Sequence, residues 1–232
     1  MSINIINYNS ILEKPIVVNS IPYKIYDGGL RFYEQTRRIS SWPISQATKI
    51  IVDVGCGHTP FPYANILIDR NIYDCKERFG LAIPSDGRRI IEADVEIKLP
   101  FSDKEIDFLY CSHTLEHCEN PLRAAEEIMR VAKSGFIETP NIVYELMFGG
   151  DETLHKWVTE YNYSSRRLLF RKLSLLEKKA ILRRKQLGEY PWKLFTDPNK
   201  RNRLHRIAYW QNQELFTNSF LWNNKFNIEI IE

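Results

Sequence analysis

Three short apolar runs in this chain each end on residues suited to holding a polar ligand. Asp53-Val54-Gly55-Cys56-Gly57 closes the first, Asp69 the second and Asp94 the third. Glycines at 55 and 57 let a ligand approach the backbone at a strand end, where a side chain would collide with it. Asp53 can brace that loop or accept from an ammonium group. Asp69 can accept from two ribose hydroxyls. Asp94 can accept from an adenine amino group while the Val95 amide meets the ring edge. Each signal is weak alone, because a DxGxG is equally a strand-to-loop turn and a strand-end aspartate commonly caps a turn. Jointly, a glycine pair, an acid and an acid on three successive strand ends suit an adenosyl ligand with an amino-acid tail.

A second group is Cys111-Ser112-His113-Thr114-Leu115-Glu116-His117. His113 and His117 can act as bases near neutral pH, as can the later His155. For each of them a structural histidine is the competing reading. His113-x-x-Glu116-His117 also has metal-ligand spacing if it lies on a helix, since residues i and i+4 share a face. The same five residues match the H-x-x-E-H pattern of inverted zinc peptidases. That reading leaves the three upstream strand ends unexplained, and no metal is assigned. A nicotinamide-type GxGxxG starting at Gly55 would need glycine at position 60, where Pro60 stands.

Such residues need a frame that gathers strand ends. KIIVDVG (49–55), ILIDRN (66–71), RIIEADV (89–95), IDFLYCSH (106–113) and GFIETP (135–140) read as short buried strands. A helix between the last two has Asn120 as N-cap, Pro121 at its first position and Gly135 just past its end. Leu122, Ala125, Ile128 with Met129, and Ala132 recur at helical spacing and predict its core face. Strands separated by loops and helices predict an α/β fold, a parallel sheet with its ligand along the carboxyl edge. Further on, HKWVTEY and RRLLFRK read as paired strands, LSLLEKKAILRRKQL as an amphipathic basic helix, and RIAYWQ and FNIEIIE as late strands. Residues 1–48 read as an N-terminal extension packing on the core. Residues 49–232 read as one domain, with 174–206 a basic insertion.

Bulk properties exclude several classes. The 232 residues are 44% hydrophobic and 26% charged, with net charge +3, which suits a globular core rather than a disordered or fibrous chain. No apolar run approaches the roughly 18 residues needed to span a bilayer. The N-terminus does not read as a signal peptide. Cys56, Cys75, Cys111 and Cys118 fit neither a zinc knuckle nor a disulfide framework, and read as free thiols in the cytoplasm. Residues 166–206 hold 14 Lys/Arg against 3 Asp/Glu, a net of +11, and the remainder nets −8. The segment is either a solvated basic face or a contact surface for phosphate, so a nucleic acid stays possible as partner without being favoured.

VDVGCG, ILIDRN, ADVEIKLPFSDKEIDFLYCSHTLEH and FIETPN together resemble the class I S-adenosylmethionine-dependent methyltransferases, in the branch grouped as methyltransferase domain 11. The resemblance covers about residues 49–160. It implies a Rossmann-like core, mainly parallel sheet flanked by helices, with late antiparallel strands and a basic C-terminal helical insertion. It implies S-adenosylmethionine as cofactor, with Asp53, Gly55 and Gly57 at the methionine end, Asp69 on the ribose, and Asp94 and Val95 on the adenine. Ser112 and His113 fall beside the sulfonium, and Cys56 and Arg70 complete the expected contacts. Two departures stand out: Thr59 replaces the usual third glycine, and only 11 residues separate Gly57 from Asp69, too few for the usual first helix. A subgroup with the ETP strand end and a later His155-Lys156-Trp157 is similar to enzymes of surface-polysaccharide and nucleotide-sugar metabolism. That likeness implies O-methylation of a sugar hydroxyl, with His113, His117 and His155 as candidate bases. Tyr190, Trp192, Tyr209, Trp210 and Trp222 are candidates for stacking on sugar faces. RNA, another phosphorylated acceptor, or cofactor binding without turnover are the alternatives.

Overall fold

The computed structural model describes residues 49–73, 81–147, 155–186 and 215–231. The N-terminal extension, Cys75, the RIAYWQ run, residues 187–206 of the basic insertion and four of the tail aromatics (Tyr190, Trp192, Tyr209, Trp210) lie outside the described residues.

Five parallel strands form the frame: β1 (Ile51–Val54), β2 (Ile66–Asp69), β3 (Arg89–Glu92), β4 (Phe108–Ser112) and β5 (Ser134–Pro140). With β8 (Thr217–Asn223), their order is β3-β2-β1-β4-β5-β8, and β8 runs antiparallel to β5. The innermost strands are apolar on both faces because both are covered, as parallel sheets require. Alternation then sorts the side chains. Val52, Val54, Leu109, Cys111 and Ile137 join one core cluster, while Ile51, Phe108, Tyr110 and Phe136 join another.

Helix α1 (Pro121–Val131) links β4 to β5 and covers the first of these faces. Asn120 caps it by accepting from the Arg123 amide at 3.1 Å, and Pro121 opens it. Its buried residues are Pro121, Ala124, Ala125, Ile128 and Val131. Fully burying a large side chain such as Ile128 contributes about 1.5–3 kcal/mol. Two sequence expectations are corrected here. Leu122 is exposed, since the buried stripe runs through Ala124 and Val131 instead. The helix is capped at Ala132, so Gly135 is not its stop, and it lies inside β5 as the strand reading of 135–140 expects.

No helix lies between β1 and β2. The loop instead lays Phe61 on the second face, stacked on Tyr110 at 4.4 Å between ring centroids, and Tyr110 stacks in turn on Phe136 at 5.5 Å. One aromatic stack thus covers part of the surface a helix would otherwise hide.

After β5 comes the short helix α2 (Ile142–Met147). Then follow β6 (Val158–Asn162), β7 (Arg167–Arg171), helix α3 (Leu175–Gln186), β8, and β9 (Asn227–Ile231). β6 and β7 pair antiparallel as expected, and β9 pairs parallel to β7, giving a second sheet of order β6-β7-β9. Leu168 and Phe170 carry this sheet into the first core cluster. α3 starts with a reciprocal cap: the Ser174 amide donates to Glu177 and the Glu177 amide donates to the Ser174 hydroxyl. The amphipathic reading of α3 does not hold, for Ile181 is its one buried residue and Leu175, Leu176 and Leu182 face outward. Among the described residues no helix is long and apolar enough to cross a membrane.

Candidate active site at the carboxyl edge of the sheet

The order β3-β2-β1-β4 sets four strand ends side by side. At about 4.8 Å per strand they make an edge about 14 Å long, long enough for an elongated ligand. Gly55 and Gly57 take φ of 72° and 53°, a region that L side chains rarely adopt. Gly55 has a second reason to be glycine, since a Cβ there would lie 2.1 Å from the Thr114 hydroxyl. The Gly55 and Cys56 amides both donate to the Ile68 carbonyl, which ties the loop to the end of β2.

The three acids are held by this loop geometry. Asp53 is buried and accepts from the Phe61 amide at 2.7 Å, so its carboxylate braces the β1–β2 loop. Burial pushes Asp53 up to about 7, against the pull of the Phe61 amide and the Arg88 guanidinium. Asp69 accepts from the Gly57 amide at 3.1 Å and the Asn71 amide at 2.9 Å, coupling the glycine loop to the next strand end. Asp94 accepts from the Glu96 amide at 2.8 Å, and Val95 is buried beside it. Both aspartates therefore cap turns. A carboxylate offers about four lone-pair sites, more than the backbone contacts named here occupy, which is the chemistry that ribose or adenine donors require. Arg70 lies partly buried next to Asp69. The residues present suit an adenosyl cofactor by the chemistry of this donor and acceptor set.

At the end of β4 the backbone turns sharply. His113 has a φ of 52°, an uncommon value for a residue with a side chain and one that clusters at functional sites. Thr114 pins the turn to the glycine loop through its hydroxyl, which lies 3.2 Å from the Val54 carbonyl. The His113 ring sits between two buried carboxylates, with Nδ1 3.5 Å from Glu116 and Nε2 3.5 Å from Glu138. Glu138 also accepts from the Ser112 hydroxyl at 2.8 Å.

Leu115–His117 form a single 3-10 turn that follows this bend. His113 and His117 therefore do not share one helix face, and the helical H-x-x-E-H arrangement of a zinc peptidase is absent from these residues. What gathers instead is a composite of distant parts. His155 packs edge-on against His117 at 4.8 Å, and its Nδ1 lies 2.6 Å from Glu145 on α2. Tyr144 stacks near His155 and faces His113 at 6.2 Å. Burial pushes Glu116 upward, but the imidazoles of His113, His117 and His155 outweigh it and hold the carboxyl at about 2. Burial pushes His155 down, and the Glu145 hydrogen bond and the charge of Glu116 more than reverse this, raising it above its ordinary value.

Sequence reasoning missed Glu138, Tyr144 and Glu145. Glu138 carries the same signal as Asp69 and Asp94, an acid near the exit of a parallel strand. Glu145 looks like a surface acid on a short helix, and only the arrival of His155 gives it a role. Trp222 is buried in the core against Phe226 and offers no stacking face.

Residues 52–137 match a family model described as a methyltransferase domain. No curated protein matches the chain. Among solved structures, a complex of the Haloferax volcanii Trm112 methyltransferase activator with a candidate methyltransferase aligns over 47% of this chain and 52% of that one, at 16% identity and TM-score 0.36. An S-adenosylmethionine-dependent methyltransferase from Aquifex aeolicus aligns over 48% and 66%, at 21% identity and TM-score 0.36. One from Thermotoga maritima aligns over 66% and 70%, at 20% identity and TM-score 0.39. The chain thus spans between about half and two thirds of the length of the first two. The family match runs from β1 into β5 and includes the glycine loop, both strand-end acids and the His113 turn. Residues 52–137 are accordingly similar to a methyltransferase domain, over less than half of the chain.

Proposed function

We propose that this protein transfers a methyl group from S-adenosylmethionine to a sugar hydroxyl in glycan or nucleotide-sugar metabolism. The observation that carries the reading is His113, an imidazole on a strained turn beside the glycine loop, flanked by Glu116 and Glu138. When bound, the cofactor supplies an electrophilic methyl on a sulfonium.

The chain's own residues do the rest. Asp53 holds the loop of Gly55, Cys56 and Gly57 for the methionine end. Asp69 and Arg70 address the ribose, Asp94 and Val95 the adenine, and Ser112 and His113 the region beside the sulfonium. His113 takes the proton from the acceptor hydroxyl as its oxygen attacks. The two flanking carboxylates stabilise the imidazolium that forms, as the acid of a hydrolase triad does. His117 and His155 line the acceptor side of the same cluster. Cys56, Cys111 and Cys118 are buried and form no disulfide among the described residues, which fits a reducing cytoplasm.

The acidic lining favours a neutral polyhydroxyl acceptor over a phosphate chain. The described half of the basic segment is also largely engaged. Arg171 pairs with Glu160 and Glu177, Arg167 pairs with Glu229, and Lys172 lies over the Trp157 ring at 3.5 Å. The test is transfer of labelled methyl from S-adenosylmethionine to nucleotide sugars, oligosaccharides and RNA in parallel. Label in the sugar pool, with turnover that changes little between 50 mM and 200 mM salt, is the expected result. Label in RNA with steep salt dependence would overturn the sugar reading. Cofactor binding with no label in any pool would leave a binding module.

A further inference from the structure

We propose that Glu116, His117 and His155 hold a divalent transition-metal cation, with Glu145 as the carboxylate that orients His155. One potential ligand atom from each of the three lies within 4.8 Å of the others. Ligand atoms around a shared cation at about 2.1 Å sit about 3–3.4 Å apart, so a modest closure completes the site.

Glu116 is the independent sign, for its carboxylate has imidazoles at ion-pair distance but no hydrogen bond of its own. It is fully buried, and neither of its carboxylate oxygens accepts a hydrogen bond among the described residues. Its nearest imidazole nitrogens stand at 3.5 and 3.8 Å, longer than a formed hydrogen bond. Buried polar groups are normally hydrogen-bonded and buried charges are normally paired or bind metals. A cation between Glu116 and the two imidazoles would supply what these oxygens lack.

The second shell is already built. Metal-binding histidines usually give their other nitrogen to a carboxylate, which fixes the ring. His155 does this through Nδ1 to Glu145 at 2.6 Å, and an imidazole so engaged offers Nε2 to a metal. His117 and His155 stay 28% and 18% exposed at the side chain, so the site is open on one side, as catalytic metal sites are. Two imidazoles with one carboxylate suit zinc, iron(II), cobalt or manganese better than calcium. The role follows only if the proposed acceptor site is correct: a bound cation would take the acceptor oxygen, acidify its hydroxyl, and leave His113 to receive the proton.

The test uses tag-free, full-length protein titrated with Co²⁺ alone, read by calorimetry and by the visible spectrum of the bound ion. S-adenosylhomocysteine is titrated into every sample as a separate measurement. One Co²⁺ per chain is expected, with a spectrum of low coordination number. His117→Ala and His155→Ala each weaken binding tenfold or more, and Glu145→Gln weakens it by at least several-fold. Absence of Co²⁺ binding in wild-type protein that binds S-adenosylhomocysteine would overturn the proposal, and so would binding indifferent to both histidine substitutions. Should those variants fail to fold, Glu145→Gln decides, and unchanged affinity there counts against the site. Failure of the methyltransferase reading would show separately, as lost S-adenosylhomocysteine binding with the cobalt signal intact.

Discussion

His113→Asn lowers kcat by roughly 10²–10⁴-fold, the contribution of a positioned base. That corresponds to about 3–5.5 kcal/mol of barrier. Asparagine is the informative replacement because it tolerates the left-handed backbone that the φ of 52° demands, yet it cannot take up a proton. The flanking Glu116 and Glu138 keep their places, so the acidic lining survives. Affinity for S-adenosylhomocysteine should change by less than tenfold, since the glycine loop and both strand-end acids are untouched. The measurement is single-turnover transfer to whichever acceptor the labelling assay identifies. A loss of less than about threefold in kcat would remove His113 as the base and leave His155, oriented by Glu145, in its place.

Gly135→Ala destabilises the fold by about 3 kcal/mol or more, at the upper end of overpacking costs. A Cβ at this position would lie 2.3 Å from the Leu109 carbonyl and 2.9 Å from the Trp222 ring. The carbonyl belongs to the β4 backbone, which is paired with β1 and with β5. It can move only if those ladders move, and β4 is the strand that delivers Ser112 and His113. At roughly 2–4 °C per kcal/mol for a chain of this size, Tm falls by about 6–12 °C. Gly87→Ala is the comparison, for a Cβ there meets nothing within 4 Å at φ 88° and only the backbone strain remains. That strain costs about 1–2 kcal/mol. Equal Tm values for the two variants would mean that the β4–β5 spacing relaxes freely.

Gly135 also shows where sequence reading reaches its end. Its place after a helical run suggests a helix stop, and its actual reason for being glycine is the close approach of β4 and Trp222. That approach is a tertiary fact with no local signature. The inner strands β1, β2 and β4 were readable because burial on both faces makes them mainly apolar, with the polar exit residue as punctuation, whereas the edge strand β3, read as buried, is only half-buried. The cap at Asn120 and Pro121 was readable because it satisfies local backbone groups. β8 escaped notice because two of its buried residues are polar. Thr217 and Asn218 sit inside, and the Asn218 side chain donates to the Thr159 carbonyl while accepting from the Tyr161 amide. Hydrogen bonds between strands replaced apolarity there, and the period-2 pattern was hidden. Leu175, Leu176 and Leu182 gave the opposite error, leucines at plausible spacing on a helix that buries little.

The candidate site divides the same way. Asp53, Asp69 and Asp94 sit at or just beyond strand ends and could be named from position alone. The histidine cluster could be named only in part. His113, Glu116 and His117 are neighbours in sequence, but the 3-10 turn rearranges them, and Glu138, Glu145 and His155 come from β5, α2 and the stretch before β6. Where acid and base meet across the fold, the sequence supplies the residue types and the topology supplies the pairing.

On the proposed function, the ends of β1, β2 and β3 form one pocket for S-adenosylmethionine. Calorimetric titration of S-adenosylhomocysteine into wild-type protein and Asp69→Ala tests it most directly. Micromolar binding to the wild type, weakened tenfold or more by the substitution, is the expected result. Asp69 is the proposed ribose contact and, by accepting from the Gly57 amide, holds the glycine loop. No binding by a folded wild-type protein, or equal binding by the two, would contradict it.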